Sequence, residues 1–211
     1  MRLVLASNNA KKLVELRALL GGLDVELVAQ GQLGIAEADE PHATFIENAL
    51  AKARAAAAAS GGAAIADDSG LCVDALGGAP GVVSAHFAPL PDARPAGLDR
   101  EALRRVQDAA NNALLLERLR GVADRRAHFV STLVALRSAQ DPQPLVAVGR
   151  WPGEILAAPR GEGGFGYDPL MFVPDLGRSV AELDAATKNL HGHRARAAAQ
   201  MVVLLREVWG L

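Results

Sequence analysis

The stretch Ala63-Ala64-Ile65-Ala66-Asp67-Asp68-Ser69-Gly70-Leu71 constrains this chain more than any other, because a short apolar run stops at two adjacent acids. A run of that length bounded by Ser-Gly reads as a buried strand that delivers its last residues to a sheet edge. Neighbouring carboxylates there repel one another and lose hydration, and a divalent cation between or beside them is the simplest remedy. Asp67 and Asp68 are therefore candidate metal ligands. They also fit a turn into Ser69-Gly70, since Asp, Ser and Gly all favour turns.

Strand and helix signals alternate on both sides of this stretch. Arg2 to Ala6 reads as a strand, and Ser7-Asn8-Asn9 supplies cap chemistry for a helix from Ala10 to Leu20, with Leu13, Leu16 and Leu20 on its packed face. Gly21-Gly22 ends that helix and Val25 to Val28 returns as a strand; a polar loop over 30–43 carries Glu37, Asp39 and Glu40. Thr44 and Glu47 form a capping box for a helix that runs through Asn48 and Lys52 into an alanine-rich tract, where small side chains favour helix and close packing.

Gly77 to Gly81 reads as a loop, 88–98 as a surface connection, and Asp99 as the cap of a helix reaching Arg120. The helix carries Leu103, Val106, Ala110, Leu114 and Leu115 on or near one face. His128 to Leu136 and Leu145 to Arg150 read as paired strands joined at Asp141-Pro142, and Glu154 to Ala157 as a separate strand. A glycine-rich loop over 161–169, a strand over 171–173, a second capping box at Ser179 and Glu182, and a final helix over 191–208 complete the chain. No internal repeat or linker interrupts this α/β alternation, so residues 1–211 are expected to form a single domain.

A formal charge of -2, from 22 basic and 24 acidic residues, leaves no footprint for duplex nucleic acid or an anionic membrane. Cys72 is the lone cysteine, which rules out an internal disulfide, suits a reducing cytoplasm and reads as a small buried hydrophobe. No apolar run approaches the roughly 18 residues of a membrane span, and no signal-peptide pattern precedes the first strand.

The start of the first helix has the form of an anion site, with main-chain donors at its N-terminus and Lys12 one turn in, although Gly-x-x-x-x-Gly-Lys-[Ser/Thr] is absent. Equally, Ser7-Asn8-Asn9 caps the helix and Lys12 pairs with Glu15 on its surface. Lys188, His193 and Arg194 bring donors to the start of the last helix, where His193 also fits a core position. Phe165 and Tyr167 suit stacking on a flat ring while free N–H groups of their loop read its edge, or else pack locally.

The order of these pieces resembles the inosine triphosphate pyrophosphatase family, which removes non-standard purine nucleotides. Ser7 to Glu15, Thr44 to Ala49 and Ile65 to Leu71 carry the resemblance, and Gly77 to Gly81, Trp151-Pro152-Gly153, Gly163 to Pro169, Lys188 and His193-Arg194 extend it over nearly the whole chain. The resemblance implies an elongated mixed α/β sheet flanked by helices, two lobes with a cleft between them, and a homodimer. It implies Mg²⁺-dependent hydrolysis of ITP, dITP or XTP to the monophosphate and pyrophosphate; a related pyrophosphatase acting on other modified bases is the alternative.

Carried over by position, Ser7, Asn8, Asn9, Ala10, Lys11 and Lys12 hold the triphosphate, with Lys52 as a further contact. Glu40 and Asp68, helped by Asp67, hold magnesium; Asp68 accepts the proton and Lys12 stabilises the leaving group. Ser69, Phe165, Gly166, Tyr167, Asp168, Lys188, His193 and Arg194 line the substrate site, with donors aimed at the 6-oxo group. The chain departs from the family where Ser7-Asn8-Asn9 replaces the more frequent Thr-Gly-Asn, where His86 stands at a frequent arginine and where Gly192 replaces a frequent serine; Asp39 also neighbours Glu40.

Overall fold

The computed structural model describes residues 1–89 and 99–211, so most of the expected connection over 88–98 lies outside the described residues. The elements are β1 (Arg2–Leu5), α1 (Ala10–Leu20), β2 (Glu26–Ala29), α2 (Phe45–Ser60), β3 (Ala64–Val73), α3 (Arg100–Arg118), β4 (Arg126–Leu136), β5 (Leu145–Ile155), β6 (Met171–Val173), β7 (Arg178–Ser179), α4 (Ala185–His191) and α5 (His193–Trp209). The strands form one mixed sheet in the order β2-β1-β3-β4-β5-β6-β7, with β1 parallel to β2 and β3, and β6 antiparallel to β5 and β7. This is the α/β class expected from the alternation of signals.

Main-chain proximity divides the chain into two compact units. The first takes Met1–Ser69, Val130–Arg150 and Asn189–Leu211; the second takes Gly70–Phe129 and Trp151–Lys188. In the first, strand side chains alternate between two cores, as the pleat requires. Leu3, Leu5, Leu133 and Ala135 join Leu16 and Leu20 of α1 and Ala197, Met201 and Leu205 of α5. Val4, Ala6, Val134 and Leu136 instead join Ala49, Ala53, Ala56 and Ala57 of α2. The alanine tract is therefore a packing face whose small side chains let the α2 backbone lie close to the strands.

Gly149 of β5 serves the same closeness for α5. A Cβ there would run into the His193 carbonyl oxygen and lie 2.5 Å from the Ala197 nitrogen, both of which are main-chain atoms that cannot swing aside. Gly149→Ala should cost about 3 kcal/mol through overpacking of the first turns of α5, read as a lower urea midpoint at unchanged m-value.

In the second unit Leu71, Val73, Leu115, Leu119, Phe129, Trp151, Ile155, Tyr167 and Met171 share one core. Here β5 corrects the expected break: it runs unbroken through Trp151-Pro152-Gly153 instead of stopping at Arg150 and restarting at Glu154. Trp151, Gly153 and Ile155 face inward while Pro152 and Glu154 are exposed, and a fixed proline φ is compatible with extended chain. The final helix also differs, because Asp184 Oδ1 accepts from the Thr187 N–H at 2.7 Å and starts α4, and extended Gly192 separates α4 from α5. The segment over 30–43 is not wholly irregular, since Gln30–Leu33 forms a 3-10 turn.

Candidate functional site

The site residues of the first unit are set by three local devices. At the start of α1, Asn9 Oδ1 accepts from the N–H groups of Lys11 (3.1 Å) and Lys12 (3.4 Å), and Ser7 Oγ accepts from the Asn9 N–H at 3.2 Å. The capping chemistry is therefore realised by Asn9. Asn8 Oδ1 and Asn9 Nδ2 are buried and make no hydrogen bond among the described residues. Ala10 and Lys11 are exposed.

At the start of α2, Thr44 Oγ1 accepts from the Glu47 N–H at 3.3 Å and donates its own proton to Glu47 Oε2 at 2.6 Å. One turn on, buried Asn48 grips His42 through both main-chain groups: its Oδ1 accepts from the His42 N–H at 2.9 Å and its Nδ2 donates to the His42 carbonyl at 3.1 Å. That grip fixes the segment that carries Glu40. A further turn along the same buried face comes Lys52, whose three ammonium donors go to Glu40 Oε1 at 2.5 Å, Asp68 Oδ1 at 2.8 Å and the Asp67 carbonyl at 3.2 Å. Burial opposes the Lys52 charge, but the Asp68 and Glu40 carboxylates overcome it and hold its pKa above the ordinary value.

The third device is β3, which ends its buried run with Asp67 and Asp68. Asp67 Oδ1 accepts from Ser131 Oγ of β4 at 2.7 Å; its Oδ2 meets Lys12 Nζ at 3.0 Å and Arg194 Nε at 3.0 Å. Burial pushes this carboxyl upward, yet the Lys12 and Arg194 charges and the Ser131 hydrogen bond outweigh it and hold Asp67 far below the usual carboxylate range. Arg194 also donates to Glu15 Oε2 and, at 3.3 Å, to Ser69 Oγ. Burial lowers the Lys12 pKa by more than Asp67 raises it, with Arg194 and Lys52 adding to the fall.

Asp68 differs from its neighbour. It is 5% exposed, its Oδ1 is held by Lys52, and its Oδ2 is buried with no hydrogen bond among the described residues. Burial raises its pKa, with Lys52 pulling the other way and Glu40 reinforcing the rise. Three cations (Lys12, Lys52, Arg194) thus meet four carboxylates (Glu15, Glu40, Asp67, Asp68), which leaves the cluster one negative charge in excess.

Among the described residues no group of three or more His, Cys, Asp and Glu side chains is arranged to hold a metal. Glu40 and Asp68 nevertheless reach the same ammonium from different segments, and Glu40 rather than exposed Asp39 makes that contact. Two hard oxygen donors, one with a buried unpartnered oxygen, fit Mg²⁺, which takes one or two carboxylates and completes its shell with water and substrate phosphates.

In the second unit the glycine-rich loop is tied down by its own backbone. The N–H groups of Gly163, Phe165, Gly166 and Asp168 donate to the Ala181 carbonyl, Asp168 Oδ2, Asp108 Oδ2 and the Phe165 carbonyl in turn. These four are committed to protein acceptors and are not available to read a base edge. Tyr167 is buried and its hydroxyl donates to the Ser84 carbonyl at 2.9 Å; burial first, then the Asp108 charge, raises its pKa. Phe165 is the half-buried aromatic, with Lys188 Nζ 4.7 Å from its ring centroid, and Lys188 also donates to Asp168 Oδ2 at 2.7 Å.

A model of the Ham1 family matches residues 3–204. The chain belongs to the Ham1 family. A dITP/XTP pyrophosphatase of Methylibium petroleiphilum is 72% identical over 209 residues, covering 99% of each chain, and one of Leptothrix cholodnii is 70% identical over the whole of both. Among solved structures, a HAM1 protein from Coxiella burnetii superposes with a TM-score of 0.86 at 38% identity over 99% of this chain and 100% of that one.

The Ham1 chain draws on residues that motif reading passed over. Glu15 pairs with Arg194 and Lys12 with Asp67, so these links take the place of the surface pair weighed for Lys12 and Glu15. Ser131 lies inside an apolar run with no distinguishing signal, and Asn48 lies in the Thr44–Ala49 stretch without a role of its own legible there. Lys188 pairs with Asp168 in the second unit, whereas Arg194 and buried His193 belong to the first.

Proposed function

We propose that this chain hydrolyses dITP, ITP and XTP to the nucleoside monophosphate and pyrophosphate, clearing non-standard purines from the nucleotide pool. The observation that carries the reading is identity of 70% and more to dITP/XTP pyrophosphatases along the full length of both partners. The geometry is consistent with the following roles. The unpartnered Asp68 Oδ2, on a carboxyl whose pKa burial raises, suits a proton acceptor that orients and deprotonates the attacking water. Lys12 spends two of its three donors on Asp67 and has one for a phosphate oxygen, and the buried Asn9 Nδ2 offers another at the N-terminus of α1.

Glu40 and Asp68 would hold Mg²⁺, which supplies charge neutralisation to the triphosphate oxygens. In the second unit Phe165 and Lys188 present a ring and a cation to the purine, and an ammonium donor favours a 6-oxo group over an adenine amino group. A homodimer in the cytoplasm completes the reading, supported by the family resemblance and, for location, by the lone thiol of Cys72. Among the described residues no helix is long and apolar enough to cross a membrane.

Steady-state rates for dITP, XTP, dGTP and dUTP, with and without Mg²⁺ and in ¹⁸O-water, test it. Turnover of dITP and XTP should exceed that of dATP, run alongside, by about 100-fold or more, the discrimination a buried polar mismatch supports. It should also exceed that of dGTP and dUTP, and because guanine shares the 6-oxo group its rejection has to rest on contacts at position 2 of the base. The label should enter the monophosphate if water attacks the α-phosphorus. Preferential turnover of dUTP would replace the reading with a pyrimidine pyrophosphatase.

A further inference from the structure

We propose that Asp108 and Asn112 of α3 are positioning residues for purine recognition, setting the Phe165–Asp168 loop through Gly166; this rests on the nucleotide reading above. Gly166 lies at φ +61°, which glycine adopts without strain; because its backbone is equally free to leave that conformation, bonds from outside the loop select the turn. One helix supplies them. The Gly166 N–H donates to Asp108 Oδ2 at 2.8 Å, and Asn112 Nδ2 donates to the Gly166 carbonyl at 3.0 Å. Four residues apart, the two side chains share a helix face with Arg104, whose guanidinium carbon is 6.0 Å from the Phe165 ring centroid. The stripe 104-108-112 thus engages two successive loop residues.

Asp168 closes the other side by accepting from the Phe165 N–H at 3.0 Å and from Lys188 at 2.7 Å. With the N–H groups of Gly163, Phe165, Gly166 and Asp168 committed to protein acceptors, the loop acts as a platform that presents Phe165 and Lys188. Asn112 also keeps its Oδ1 buried without a hydrogen bond among the described residues, a desolvation cost that a replaceable contact would not retain. Both hydrogen bonds lie within the second unit, on the loop that carries Phe165, so the pair should govern binding of the base and not hydrolysis itself.

The test measures kcat and KM for dITP, and Ki for inorganic triphosphate, in the full-length wild type and in Asp108→Ala, Asp108→Asn and Asn112→Ala. Each alanine variant should raise KM about tenfold, equivalent to one hydrogen bond of ~1.4 kcal/mol, with kcat and the triphosphate Ki changed by less than about twofold. Asp108→Asn should recover most of the wild-type KM, because its amide oxygen still accepts from Gly166. An unchanged KM in both alanine variants, a triphosphate Ki that moves with KM, or an Asp108→Asn variant as impaired as Asp108→Ala would overturn the proposal. Wild-type turnover of dITP, taken in the same series, separates failure of the nucleotide reading from failure of the clamp.

Discussion

Asp68→Asn should lower kcat for dITP by about 10³-fold while leaving the fold intact, the loss expected when a positioned general base is removed. The two halves of that expectation have separate physical causes. Asparagine can still accept from Lys52 through its side-chain oxygen, so the tie between β3 and α2 survives. It also removes a charge that burial disfavours, since the Asp68 pKa is raised, and the thermal midpoint should stay level or rise slightly. What disappears is the proton acceptor, because an amide oxygen is a far weaker base than a carboxylate. Turnover within about tenfold of wild type would take Asp68 out of the proton-transfer role. A midpoint lowered by several degrees would instead mean that the Lys52 bridge needs both of its acids.

The contrast between Asp67 and Asp68 marks the boundary of what the sequence discloses. Two acids after an apolar run located the cluster, and the capping signals at Asn9, Thr44, Asp99 and Ser179 located helix or turn starts, because such signals act within three or four residues. The division of labour between the acids depends on partners 55 to 127 residues away, namely Lys12, Ser131 and Arg194. No local pattern encodes which of two neighbouring carboxylates such partners will reach. The same limit hid Asp108 and Asn112, which look like ordinary polar positions on an amphipathic helix until the loop 54 and 58 residues away is folded against them. β5 departs from the expected break at Arg150 for the opposite reason: Pro152 and Gly153 locally disfavour a strand, and pairing with β6 at Glu154 and Ile155 overrides them.

Arg194→Ala should destabilise the protein by about 3–5 kcal/mol, the range for breaking a buried ion pair on one side. Arg194 is 3% exposed and, from the first turn of α5, joins Glu15 of α1 to Asp67 and Ser69 of β3. Its loss leaves Asp67 with Lys12, Ser131 and Ser69, takes an ion-pair partner from half-buried Glu15 and opens a cavity where the guanidinium stem packed. Arg194→Lys tests whether charge suffices: an ammonium on a flexible stem lacks the planar fork that serves three acceptors at once, so less than half of the stability should return. If guanidinium denaturation finds the alanine variant within about 1 kcal/mol of wild type, the network is held by Lys12 and Asp67 without it. Recovery of full stability by lysine would make Arg194 a point charge, and α5 would then owe its placement to the close approach at Gly149 and the apolar contacts of Ala197, Met201 and Leu205.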